Sequence, residues 1–221
     1  MPKPPSDKVS AELEHLEADE KAMLECAHNM LKADDQNIYM FDLLANAAIN
    51  RSVALSSGFR TLIRDQNLIC AGALLRLQLD TAIRFFAGFL VEQPHEFAAA
   101  VLKGKHIRKM KDRKGNPMTD RYLVTLLGKK YPWIEFVYEK TSGYIHLSNT
   151  HIFSTLEKDD QMEKGHYLFK LGASDNDLPD ELYLEAIAAF RESTIILVQH
   201  IDGWTFTKEN PEIIAAMKSK T

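Results

Sequence analysis

Residues 68–91 constrain this chain more than any other stretch. Of these 24 residues 17 are apolar. At 3.6-residue spacing they fall on every side of a helix, the pattern of a helix enclosed by others. Its length alone would span a bilayer, but Arg76, Asp80 and Arg84 interrupt it. At 100° per residue these three form one narrow stripe about 12 Å long. Charges in a hydrocarbon core are costly and rare, so the expectation is a water-soluble bundle with no membrane partner. Buried charges need partners. Asp80 can bridge both arginines at i,i+4 spacing, which leaves one positive charge over. Either a carboxylate from another helix or an anion must balance it. The stripe is then a register-fixing salt-bridge ladder or a polar site in the bundle core.

The charge distribution adds a second constraint. The net charge is −4. Residues 103–130 nevertheless hold ten Lys or Arg and two Asp, a net of +8, within an otherwise acidic body. Lys105, Arg108, Lys109, Lys111, Arg113 and Lys114 are the candidate phosphate contacts, acting through counterion release. The alternative for this stretch is a solvated loop.

The remaining chain reads as helices. Ser6 or Asp7 caps a first helix to about Lys32, and a second runs from about Asn37 to Arg64 with a bend expected at Ser56-Ser57-Gly58. Asp42, Asn46 and Asn50 make a polar stripe on it. Asp65-Gln66-Asn67 turns into the central helix. Thr119 caps a further helix, Pro132 opens another, and Pro179 opens a last long helix to about Trp204. Residues 151–171 read as a small β-hairpin, from the aromatic and β-branched segments HIFSTLE and HYLFKLG. The fold class is therefore all-α, a multi-helix bundle with a buried central helix and a small β-hairpin appendage. Residues 1–5 are expected to be disordered, 6–207 to form one domain, and 208–221 a short C-terminal helix.

Chemical motifs are sparse. Cys26 and Cys70 lie in helical contexts without clustered ligands, which fits packed thiols in a reducing compartment. The N-terminus lacks the apolar core of a signal peptide, so a cytoplasmic location is expected. The Glu25–His28 pair has ExxH spacing, but a di-iron site needs two such pairs on helices and two further glutamates. No cofactor or metal is expected. Phosphate-loop, dinucleotide, zinc-protease and hydrolase fingerprints are absent from the sequence.

Tyr138, Ser142 and His146 share one helix face at i,i+4,i+8, with Tyr144 and Lys140 beside them. Two passages, ALLRLQLDTAIRFF and SGYIHLSNTHIF, together resemble a group of uncharacterised bacterial all-helical proteins over most of residues 35–205. The layout more remotely resembles the HEPN superfamily, many of whose members are dimeric ribonucleases of toxin–antitoxin and antiviral defence systems. Their signature is Arg, four to six residues, then His. Here no Arg stands at that distance from a His, and Lys140 before His146 is the nearest match. A lysine offers a flexible point charge where an arginine offers a planar fork. The resemblance implies RNA as partner, a homodimer, and metal-independent cleavage. His146 would be the base, and Lys140, Arg76, Asp80, Arg84 and Tyr144 its companions. The alternatives are a non-catalytic scaffold that docks a protein partner and a small-anion-binding module.

Overall fold

The computed structural model describes residues 5–146, 148–158, 167–169, 171–172 and 178–212. The first helix, α1 (Asp7–Lys32), starts where Ser6 Oγ accepts the Val9 N–H at 3.3 Å, which satisfies one of the free amides of the first turn. Its buried positions, among them Val9, Leu13, Leu16, Met23 and Met30, make one apolar stripe. The second helix, α2 (Met40–Arg64), is continuous through Ser56-Ser57-Gly58. The expected bend does not form, because Ser56 is buried and Gly58 backs closely onto Leu74 of the next helix.

The central helix, α3 (Leu68–Phe86), is capped by Asn67 and continues into a 3-10 turn, Ala87–Phe89. It therefore stops short of Val91. A side chain at Gly88 would collide with the ring of Phe41, so the chain narrows there to let α2 approach. Neighbours on several sides shield α3, namely α2, α8 (Asp180–Glu209), α6 (Trp133–Ile145) and α5 (Asp120–Gly128). It joins two apolar clusters. Leu68, Ala71 and Leu75 pack with Leu13, Phe59 and Phe190, whereas Leu79, Ile83 and Phe85 pack with Met30, Phe41 and Trp204. Ion pairs lock α1 to its neighbours, Arg60 to Glu20 at 3.0 Å and Arg191 to Asp19 at 2.7 Å.

Between α3 and α5 stand α4 (Pro94–Leu102) and the basic segment, which contains the short 3-10 turn Ile107–Lys109. Among the described residues the chain is all-α apart from one short strand pair and an isolated bridge between Lys111 and Pro117. The first half of the expected hairpin is instead α7 (Asn149–Ser154). Among the described residues of the expected hairpin, Leu156–Lys158 pairs antiparallel with Tyr167–Phe169, Leu156 opposite Phe169, and residues 159–166 and 170 lie outside the described residues. The aromatic and β-branched run HIFSTLE therefore begins as helix, and a three-residue pairing stands where a hairpin appendage was expected. The last helix runs five residues beyond Trp204, because Lys208 is drawn into the core. Residues 1–4 and 213–221, which hold most of the expected disordered start and C-terminal helix, lie outside the described residues. Among the described residues no helix is long and apolar enough to cross a membrane.

Candidate nucleic-acid interface

The stripe on α3 forms the expected ladder. Arg76 Nε donates to Asp80 Oδ1 at 3.1 Å, and Arg84 lies 3.8 Å from Asp80 Oδ2. The charge left over is balanced from another helix, since Arg84 Nη2 donates to Asp120 Oδ2 of α5 at 3.0 Å. Burial works to lower the Arg84 pKa, but the hydrogen bond and charge of Asp120 outweigh it, so the group stays above its ordinary value. The ladder is graded in exposure. The Arg76 side chain is 10% exposed and that of Arg84 47%, so only the Arg84 end reaches solvent.

The buried end meets α6. Arg76 Nη1 donates to Ser142 Oγ at 2.6 Å and to the Tyr138 carbonyl at 3.2 Å. Its guanidinium carbon lies 3.5 Å from the centroid of the Tyr138 ring. Two members of the expected face thus hold Arg76, while the third does not follow them. The helix ends at Ile145, and His146 is its exposed C-cap. Lys140 sits on another flank, 3.9 Å from Glu185 of α8. Tyr144 packs its ring on Gly72 of α3, where a Cβ would lie 2.6 Å from Cδ2. The structure therefore separates the residues grouped by sequence. Arg76 and Asp80 join Tyr138 and Ser142, Arg84 joins Asp120, and Lys140 turns toward α8.

The basic segment is built rather than loose. Met110 and Met118 are buried in the core, and their backbones pair, Met118 N–H donating to the Met110 carbonyl at 2.9 Å. Between them Asp112 folds a tight turn. Its carboxylate accepts the Lys114 and Asn116 N–H groups, the Asn116 amide and the Tyr122 hydroxyl. Chiefly the Tyr122 bond, then those of Asn116 and Lys114, hold its pKa down to about 2 against the opposing effect of burial. Gly115 closes the turn at φ 85°, a conformation that costs glycine little.

Arg113 is not a free phosphate ligand. Its Nε and Nη2 donate to the Leu90 and Phe89 carbonyls and staple the basic segment, a lobe of residues 103–119 between α4 and α5, to the end of the central helix. Lys105, Arg108, Lys109, Lys111 and Lys114 remain exposed, and among the described residues none of them enters an ion pair.

Where the lobe meets the ladder there is a cleft of about 280 Å³. Arg51 of α2 and Asp80, Thr81 and Arg84 of α3 supply its polar groups, and Phe85 and Ile107 are among its apolar walls. Arg51 Nε donates to Thr81 Oγ1 at 3.0 Å, which aims the guanidinium from α2 toward α3. The cleft carries two arginines and one carboxylate, with the free cations of the lobe on either side of Ile107. Sequence reasoning found Asp80 and Arg84 but missed Arg51, whose place across the helix pair has no local periodic signature.

Sequence reasoning also missed the most deeply buried ion pair among the described residues. Lys208 and Asp42 are each fully buried and pair at 3.1 Å. Trp204 Nε1 and the Tyr39 N–H donate to the same carboxylate at 2.6 and 2.8 Å. Asp42 had been grouped with Asn46 and Asn50, which are exposed. Among the described residues no cluster of three or more His, Cys, Asp or Glu could hold a metal ion. Compared with protein-family models, with curated proteins and with solved structures, the chain finds no match.

Proposed function

We propose that this protein binds RNA through its phosphate backbone, using the lobe between α4 and α5. One observation carries the reading. Five exposed cations lack carboxylate partners among the described residues: Lys111 and Lys114 stand on the turn closed by Asp112 between the buried Met110 and Met118, and Lys105, Arg108 and Lys109 lie just before it, in and beside the 3-10 turn. Cations that a folded segment gathers on one surface stretch, with no carboxylate to neutralise them, can release counterions from a polyanion. Titration of a single-stranded oligoribonucleotide at several salt concentrations tests this. A log–log slope steepening by about −0.7 for each neutralised phosphate is expected. Lys109→Ala and Lys111→Ala should each flatten that slope. Binding that ignores salt would refute the proposal.

A HEPN-like, metal-independent ribonuclease is the narrower reading. It is supported by His146, exposed at the C-cap of α6, four residues after the Ser142 that meets Arg76. The imidazole would take the proton of a 2′-hydroxyl while a neighbouring cation steadies the phosphate. Incubating the protein with mixed RNA in EDTA, beside His146→Ala, separates the readings. Cleavage lost in the variant supports the nuclease, whereas salt-sensitive binding without cleavage supports the binding role alone.

A further inference from the structure

We infer that the cleft between α2, α3 and the lobe receives one unstacked nucleobase of the bound strand, and that it favours guanine. The inference rests on the RNA-binding reading and gives it a base preference.

Size comes first. About 280 Å³ lies just below the usual range for pockets that enclose drug-sized ligands, and it admits one planar base but no base pair. Leu44, Ala47, Ala48, Phe85 and Ile107 give it an apolar lining, which suits the faces of a base. The rest of its lining includes the polar groups of Arg51, Asp80, Thr81 and Arg84. Asp80 is an acceptor only, with roughly four lone-pair sites of which its arginine contacts engage two. Arg51 and Arg84 are donors only.

That arrangement suits one base edge better than the others. Guanine alone presents two adjacent donors, N1–H and the N2 amine, to a carboxylate. Its O6 and N7 are acceptors for an arginine fork. Adenine and cytosine each place a ring acceptor beside a single amine, which a carboxylate repels. Uracil flanks its one N–H with two carbonyls. Asp80 and Arg51 on facing helices therefore match the guanine pattern of paired donors beside paired acceptors. Location completes the case. Ile107 lies between His106 and Arg108, so a strand whose phosphates follow the lobe passes the cleft mouth. A duplex cannot offer an unpaired base there, so the site selects single strands.

Fluorescence anisotropy on a nine-residue oligouridine and on the same strand with a central G, A or C tests the inference. The G strand should bind roughly tenfold more tightly than the other three. Asp80→Asn should remove that preference. Because this change also weakens the ties to Arg76 and Arg84, Ala47→Trp supplies a second variant. It fills the cleft from its exposed side, leaves every ion pair in place, and should also make the four strands bind alike. Methyl NMR of Thr81 and Ile107 with guanosine monophosphate keeps the two proposals apart. Four strands bound equally by the unaltered protein would overturn the base pocket and leave the phosphate reading standing. No strand bound, with both methyl signals shifted by the nucleotide, would support the pocket and overturn the RNA reading. Neither binding nor shifts would overturn both.

Discussion

The guanidinium carbon of Arg76 lies over the ring of Tyr138, 3.5 Å from its centroid, while its nitrogens reach Asp80, Ser142 and the Tyr138 carbonyl. One side chain thus ties two turns of the central helix to α6. A lysine can reach one of these partners as a point charge, but it cannot stack and fork together. Arg76→Lys is expected to lower unfolding stability by about 1–3 kcal/mol, the usual loss when hydrogen bonds to a buried charge go unmade. Urea denaturation measures it. A change within experimental error would mean that Tyr138 and Ser142 hold α6 without help.

The ladder was legible because its spacing is local. Arg76, Asp80 and Arg84 recur every four residues, so helix geometry alone predicts their contact. Charge balance called for an outside carboxylate or an anion, and nothing local decided between them or pointed to Asp120. The cap at Ser6 was legible for the same reason. What escaped was long-range. Asp42 and Lys208 are 166 residues apart, and neither the polar stripe on α2 nor a lysine near the chain end betrays their meeting. Arg113 counted as a phosphate ligand by composition, yet the free carbonyls at the end of the central helix claim it. His146 shares a sequence register with Ser142, but the helix stops one residue before it, and the shared face stops too. Periodicity predicts faces only while the helix lasts.

Asp112 makes the lobe sensitive to acid. Its carboxyl is held at about 2, below the ordinary value of 3.8, because the Tyr122 hydroxyl first, and then the Asn116 and Lys114 groups of the turn, donate hydrogen bonds to the ionised form. A depressed folded pKa contributes stability that is complete above the unfolded value and is lost as pH falls through the folded one. The turn should therefore loosen between about pH 4 and pH 2. Amide exchange of Lys114 and Asn116, whose N–H groups bond Asp112, should accelerate in that window while the α3 core stays protected. Asp112→Asn should show the faster exchange already at neutral pH. Unchanged exchange in the variant would show that Met110 and Met118 hold the lobe by themselves.

The two thiols should differ in reactivity. Cys26 is buried and its pKa is pushed up to about 12, first by burial, then by its hydrogen bond to Asp202 and the charge of that carboxylate. Cys70 is exposed. Only a thiolate attacks a disulfide reagent, so the native protein should titrate one thiol quickly at pH 8 and the second only after denaturation. Cys70→Ser should abolish the fast phase. Two fast thiols in the native state would mean that α1 and α8 separate readily near Asp202.

The Asp42–Lys208 pair allows a sharper test of what holds the last helix to the first two. Both side chains are fully buried. Lys208 also donates to the Met30 carbonyl at 2.9 Å, so its ammonium joins α1, α2 and α8 at one point. Removing one member of a buried pair leaves an uncompensated charge and typically costs about 3–5 kcal/mol. Lys208→Met should show a loss of that size. Replacing both members by apolar groups is often close to neutral, but here it should not be. Asp42 also accepts from Trp204 Nε1 and the Tyr39 N–H, and both donors would be stranded in Asp42→Leu/Lys208→Met. The double variant should therefore recover only part of the lost stability, with about 1–3 kcal/mol outstanding for each donor left dry. Full recovery would show that the ion pair alone, and not the carboxylate's role as a shared acceptor, fixes α2 against α8.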